Sequence, residues 1–151
     1  MELNRYSKIN IKDICTWERA KKGKIYPAGC WCVQVSATKG QTMYVSTPQE
    51  IEAKYCVFQL ATDLYIPEYV YMMFEKNLRQ FLRRTQTGLN IKPEIFEEYR
   101  VDLHSDIETQ RIIVRTMKHI DDRINEEQKQ VDIIKEMKRY HLGKMFAQKG
   151  E

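Results

Sequence analysis

The residue types that most often carry chemistry are scattered along this chain. Its four cysteines are Cys15, Cys30, Cys32 and Cys56. Cys30-Trp31-Cys32 alternates along an extended segment, so both thiols fall on one face. A four-thiolate zinc site calls for paired C-x-x-C-type spacing, which is absent. Reduced cysteines in a cytosolic core are the better reading, and no metal is expected. His104, His119 and His141 lie far apart, the last two inside one helical stretch. There is no phosphate-binding G-x-x-x-x-G-K-[ST], no G-x-G-x-x-G, no H-E-x-x-H, no G-x-S-x-G and no Asn-Pro-Pro-Tyr-like tetrapeptide. No nucleophile and base pair can be nominated. A small enzyme would need a cleft that sets Cys30 or Cys32 beside a histidine, and nothing in the sequence asks for one. The chain is expected to do no catalysis.

A different chemistry has more support. Arg19, Lys21, Lys22 and Lys24 form one basic cluster, and Arg79, Arg83 and Arg84 another. Such clusters neutralise phosphates and position a protein on DNA, or they are simply solvated charge. Reading bases requires side chains that donate and accept together. Gln41, Gln86 and Asn90 have that inventory, and Thr85 and Thr87 can meet a phosphate or a thymine methyl. Ordinary turn chemistry is the competing account of these polar residues. Trp17, Trp31, Tyr26 and Tyr44 cluster in the N-terminal half, where core packing outweighs base stacking.

Several elements must position these groups. Ile9 and Ile11 alternate with polar neighbours, a strand pattern passing into a short turn at Asp13-Ile14-Cys15. Pro27-Ala28-Gly29 is a turn, and Cys30–Val35 and Gln41–Val45 form a hairpin about Lys39-Gly40. Thr47-Pro48-Gln49-Glu50 has the spacing of a short helix start. Tyr55–Leu60 is a strand. A helix follows from Ile66-Pro67-Glu68 to about Arg84, with Val70, Met73, Phe74, Leu78, Phe81 and Leu82 on its apolar face. Thr85-Gln86-Thr87-Gly88 breaks it. Lys92-Pro93-Glu94 starts one helical turn, and Tyr99–Leu103 is a closing strand.

Ser105-Asp106-Ile107-Glu108 reads as a capping box in which Ser105 accepts from the Glu108 amide. No Pro or Gly follows until Gly143, so a helix can run from about 106 to 146, about 60 Å long at 1.5 Å per residue. Ile113, Met117, Ile120, Ile124, Val131 and Ile134 keep heptad spacing, interrupted at Glu127 and Gln128, and the stripe drifts through Met137 to Leu142, Met145 and Phe146. A domain of about 100 residues spans only about 26 Å. It cannot bury such a helix, so much of the stripe is expected to meet another helix as a dimerisation seam. The composition, 42% hydrophobic and 30% charged with net charge +4, is that of a globular protein. Without a membrane-length apolar run or the order of a signal peptide, the chain is expected in the cytoplasm.

The expected architecture is α+β: a recognition-type domain over residues 1–104, a long coiled-coil helix over 105–147 and a tail, 148–151. Arg84 to Ile91, Pro93-Glu94-Ile95-Phe96, Tyr99 to Leu103, Glu108-Thr109-Gln110 and the helix ending at Met145-Phe146 come in a telling order. From about Gln80 to Phe146 this series resembles the end of a target-recognition domain and the conserved-region helix of type I restriction-modification specificity (S) subunits. Where that family usually has Leu-Pro-Pro before the helix, this chain has Leu103-His104-Ser105. Full-length S subunits carry two recognition domains and two helices, whereas this chain has one of each. The resemblance implies a half-length subunit that binds double-stranded DNA and is completed by homodimerisation or by another S-like chain. Two recognition domains would then sit at the ends of an antiparallel helical pair. It further implies docking to a methyltransferase subunit, which holds the S-adenosylmethionine, and to a restriction subunit where one joins. No cofactor is expected in this chain. The alternative is an S-like interaction or regulatory module that docks on the methyltransferase or another S subunit without reading DNA.

Overall fold

The structure, a computed structural model, describes residues 5–36, 40–85, 88, 90–146 and the backbone of Ala147. Its elements are β1 (Ser7–Asn10), β2 (Cys15–Arg19), β3 (Ile25–Tyr26), β4 (Trp31–Gln34), β5 (Thr42–Tyr44), β6 (Gln49–Glu50), β7 (Tyr55–Leu60), α1 (Pro67–Thr85), β8 (Arg100–Leu103) and α2 (Ile107–Ala147). Short 3-10 turns occupy Ile11–Asp13 and Pro93–Glu98. The fold is thus mixed helix and strand with a long C-terminal helix. Two compact units divide the chain, Met1–Ile113 and Val114–Glu151.

In the first unit an antiparallel sheet runs β2-β7-β4-β5. Trp31 lies opposite Phe58 and Val33 opposite Cys56, so these four share a face. Trp17 joins them opposite Phe58. On the other face, Cys32 lies opposite Val57. It packs there with Cys30, Ala20, Tyr26, Val45 and Ile51. Both faces are therefore covered, which explains why β4 and β7 read as apolar runs and not as alternating strands. The C-x-C pair does share a face, and it is a core face. Burial pushes the thiols of Cys15, Cys32 and Cys56 up to about 12 and raises that of Cys30. They are protonated at neutral pH and poor metal ligands or nucleophiles.

Helix α1 covers the first face. Its buried Val70, Phe74, Leu78 and Leu82 recur at helical spacing. The Phe74 ring lies 4.9 Å from Phe58 and 5.7 Å from Trp31. Phe96, on the 3-10 turn, meets Phe58 edge-on at 4.9 Å. The Tyr99 hydroxyl donates to the Phe74 carbonyl at 2.5 Å. Trp31 and Tyr26 are buried and Trp17 and Tyr44 half-buried, so these aromatics belong to packing.

Two local readings need correction. Thr47-Pro48-Gln49-Glu50 starts no helix: Gln49 and Glu50 form β6, paired antiparallel with Tyr26 and Ile25 of β3. The cap spacing was present, but strand pairing satisfies this backbone instead. The cap of α2 is Asp106, not Ser105. Its carboxylate accepts from the Thr109 amide at 2.8 Å and from the Thr109 hydroxyl at 2.6 Å. An Asp at the cap also meets the positive end of the helix dipole, and these hydrogen bonds hold its pKa below the usual carboxylate value.

The Glu-x-Gln start of α2 has a structural task. Gln110 is fully buried. Its Oε1 accepts from the Ile66 amide at 2.9 Å, at the entry to α1, and its Nε2 donates to the His104 carbonyl at 2.9 Å. Beside it, Tyr69 Oη lies 2.6 Å from His104 Nδ1 and accepts from the His104 amide at 2.9 Å. Leu103-His104-Ser105 thus contributes the His104 amide, carbonyl and imidazole to this buried network. Gln110→Leu orphans two buried backbone groups, each worth about 1–3 kcal/mol. The expected outcome is a loss of roughly 3 kcal/mol in urea unfolding; a change below about 0.5 kcal/mol would show that the amide holds nothing.

Candidate nucleic-acid interface

The first unit presents a groove of about 1080 Å³ lined by Gly40, Gln41, Thr42, Glu75, Lys76, Leu78, Arg79, Leu82 and Arg83. One wall is the start of β5 and the other the outer face of α1. Lys76, Arg79 and Arg83 fall on one side of α1 because they are spaced three and four apart. Gly40 makes the wall possible. Its φ is +72°, and a Cβ there would meet Leu82 Cδ1 at 2.3 Å. The Gln41 carbonyl accepts from the Gln34 amide at 2.8 Å, closing the hairpin, while its side chain is exposed. Three residues separated by as many as 42 positions, Gln41, Arg79 and Arg83, are thereby brought to one site.

The other sequence-derived residues fare differently. Arg84 is exposed but does not line the groove, and Asn90 is exposed beyond it in sequence. The Thr85 hydroxyl donates to the Phe81 carbonyl at 2.9 Å. Gln86 and Thr87 lie outside the described residues. Thr42, Glu75 and Lys76 are groove residues that sequence reasoning missed. Glu75 and Lys76 sit within the same α1 pattern that exposes Arg79, and this was the signal available.

The Arg19–Lys24 cluster is spent on local pairing. Arg19 donates from Nε to the Ala53 carbonyl at 2.9 Å and from its guanidinium to Ser36 Oγ at 2.7 Å. Glu18 accepts from Lys21 at 2.8 Å, from Lys24, and from the Tyr26 hydroxyl at 3.0 Å. Lys24 also lies over the Tyr26 ring. Lys22 is exposed. Two of these lysines share the one Glu18 carboxylate, whereas no ion pair engages Arg79 or Arg83 among the described residues. Among the described residues no group of three His, Cys, Asp or Glu can hold a metal, and no helix is long and apolar enough to cross a membrane.

Helix α2 carries the expected stripe. Met117, Ile120, Ile124, Val131, Ile134 and Leu142 are exposed, Ile134 by 64%, and Ile113 is half-buried. Its polar middle is tied along the helix by Arg123 to Glu127 at 3.3 Å and by Gln128 and Lys135 to Asp132 at 3.0 and 3.5 Å. Such pairs support a helix by about 0.2–0.5 kcal/mol each. Ile133, Met137 and Tyr140 are also exposed, at a four-and-three spacing off the main stripe.

No protein-family model matches the sequence, and no curated protein does. Solved structures do match the fold. The S subunit of the type I restriction-modification system of M. genitalium superposes with a TM-score of 0.66 at 11% identity, over 85% of this chain and 42% of that one. A chain from a structure of type I restriction-modification complex assembly and conformational transition superposes with a TM-score of 0.62 at 13% identity, over 80% of this chain and 39% of that one. The chain therefore has the fold of type I restriction-modification S subunits: a recognition-type α+β domain and the long helix after it. It spans about two fifths of the length of those proteins.

The Glu18 cluster yields a pH signature. Hydrogen bonds from Lys21 and Lys24 lower its carboxyl from 4.5 to about 2. A depressed folded value gives stabilisation that is complete above the unfolded value of 4.5 and lost as pH falls toward 2. The melting-temperature gap between wild type and Glu18→Gln is expected to be constant above about pH 5 and to shrink below it. A gap that stays flat through the acid range would mean these pairs are unimportant.

Proposed function

We propose that this chain is a half-length specificity subunit of a type I restriction-modification system, reading double-stranded DNA and completing itself by pairing through α2. The observation that carries the reading is the S-subunit fold over 85% of the chain at 42% of the relative's length. Pairing through α2 would set two such domains about a two-fold axis and suit an interrupted, two-fold related site. Supporting it, Gln41, Arg79 and Arg83 converge on one open groove that offers phosphate-neutralising cations beside a side chain able to read a base edge. Arg84, Thr85, Gln86, Thr87 and Asn90 follow Arg83 in the sequence and are assigned here as further DNA contacts. Arg19, Lys21, Lys22 and Lys24 contribute phosphate contacts of second rank, since three of the four are engaged locally. The exposed seam from Ile113 through Met117, Ile120, Ile124, Val131 and Ile134 to Leu142 pairs with a second copy or another S-like chain.

Catalysis belongs to the partners: a methyltransferase subunit that binds S-adenosylmethionine, and a restriction subunit where one joins. The complex is cytoplasmic, with residues 1–104 as the recognition domain, 105–147 as the pairing helix and 148–151 as a tail. Openness of the Arg79–Arg83 surface favours DNA reading over a module that only docks on proteins.

The test is selection from a random-sequence duplex library, by the chain alone and with the methyltransferase subunit of its own system, across a salt series. Enrichment of a split motif is expected, with affinity falling steeply as salt rises. Replacing Arg79 and Arg83 by Ala should reduce the logarithmic salt slope by about 2, close to 0.9 per lost phosphate contact. Lys21→Ala should change it much less. Tight methyltransferase binding without any selected motif overturns DNA reading in favour of the docking module. Pairing is tested by sedimentation equilibrium: wild type is expected as a dimer and Ile120→Glu/Ile124→Glu as a monomer. A wild-type monomer at micromolar concentration, with the other S-like chain absent, overturns self-pairing.

A further inference from the structure

The groove holds one residue whose charge is wrong for a phosphate-binding wall. Glu75 is exposed on α1, next to Lys76 and one turn before Arg79. A carboxylate four residues before an arginine on a helix ordinarily pairs with it. Here, among the described residues, Glu75 makes no ion pair with Arg79 or Lys76. It turns instead toward β5, where the Thr42 hydroxyl donates to Glu75 Oε1 at 2.5 Å. The Tyr71 hydroxyl lies 3.2 Å from Thr42 Oγ1 and also hydrogen-bonds the Glu75 side chain. Tyr71 is itself packed against Tyr44, ring centroids 5.4 Å apart. Thr42 and Tyr71 thus hold the exposed carboxylate from the β5 side.

An ionised carboxylate only accepts hydrogen bonds. Beside a polyanion it repels phosphates. It also repels the acceptor edges of guanine and thymine in the major groove. What it accepts there is an exocyclic amino group, N4 of cytosine or N6 of adenine. A cation-lined groove with one pre-oriented acceptor suits a base-pair edge better than backbone alone. Resting on the reading of the chain as a DNA-recognition subunit, we propose that Glu75, held by Thr42 and Tyr71, is a specificity-determining residue that accepts from the amino group of a cytosine or adenine in each half-site. Arg79 and Arg83 hold the flanking phosphates, and Gln41 faces the same edge from the opposite wall.

Two effects follow from one substitution. Removing the charge weakens discrimination and strengthens indiscriminate binding, a combination that loss of folding does not produce. The experiment is duplex-library selection with the full chain, assembled with its methyltransferase subunit, as wild type, Glu75→Gln, Glu75→Ala and Thr42→Val. Wild type is expected to show one position per half-site restricted to cytosine or to adenine, and the selected base tells the two apart. Glu75→Ala is expected to lose that preference roughly tenfold, leaving the other positions intact, while Glu75→Gln, whose amide oxygen still accepts and whose amide nitrogen now donates, is expected to shift it toward adenine. Affinity for a non-selected duplex is expected to rise. Thr42→Val keeps the carboxylate but removes one of its two hydroxyl partners, and should relax the same position to a smaller degree. Unchanged circular dichroism and melting temperature confirm folding. A wild-type split motif that both Glu75 variants retain in full overturns the role of Glu75 and leaves the specificity-subunit reading standing. A wild-type complex that selects no motif overturns that reading and this inference with it.

Discussion

The interlocked rings of Phe58, Phe74 and Phe96, packed tilted and edge-on, are the constraint from which the first unit follows. Phe58 comes from the middle of the sheet, Phe74 from the middle of α1 and Phe96 from the 3-10 turn beyond it. Their centroids lie 4.9 to 6.0 Å apart. Rings of this size contribute about 1.5–3 kcal/mol each by burial, with more from their edge-to-face geometry. Because Phe74 must face Phe58, the rotation of α1 about its axis is settled. Residues one, two and five positions later, Glu75, Lys76 and Arg79, then turn away from the core. The hydroxyl of Tyr99 on the Phe74 carbonyl locks the same helix from its other flank. The groove is a consequence of this packing: α1 faces β5 with its polar side because its apolar side is committed to the sheet.

That geometry also sorts the cations. At Arg19–Lys24 one carboxylate, Glu18, pairs with two lysines, and Arg19 bonds backbone and Ser36. In the groove the opposite happens. Glu75 is held by two hydroxyls, so the neighbouring arginines stay available. The difference lies in where each carboxylate's partners stand: Glu18 sits across from a loop that brings lysines back to it, while Glu75 sits across from Thr42 of β5.

Helix α2 obeys a different constraint. Its backbone is satisfied internally, and its polar middle is braced by pairs three and four residues apart, so a helix this long holds its form through a stretch with no apolar contact. Its exposed isoleucines and methionines are costly in water. The pairing proposed for α2 would cover that stripe. At its start, Gln110 bonds the Ile66 amide at the α1 entry and the His104 carbonyl just after β8, while Asp106 caps the helix through Thr109. A buried amide that bonds two segments at once gives rigidity without requiring any particular backbone angle.

Much of this was legible from sequence because it depends on local pattern. The apolar spacing of α1 and α2, the β4–β5 hairpin, the strand at Tyr55–Leu60 and the absence of catalytic motifs each follow from neighbouring residues alone. So did the ordered series from Gln80 to Phe146 that pointed to the specificity-subunit fold. What sequence could not determine is which of two locally adequate structures wins. Thr47-Pro48-Gln49-Glu50 has helix-start chemistry, yet pairing with Ile25 and Tyr26, more than twenty positions away, makes it a strand. Ser105 and Asp106 are both good caps, and the helix starts at Ile107 with Asp106 bonded to Thr109. Tertiary structure alone brought Gln41 and Thr42 against α1 and made Glu75, an ordinary surface glutamate by its neighbours, an oriented acceptor among arginines. Local periodicity fixes which face of an element is apolar, but only long-range packing decides what its polar face will meet.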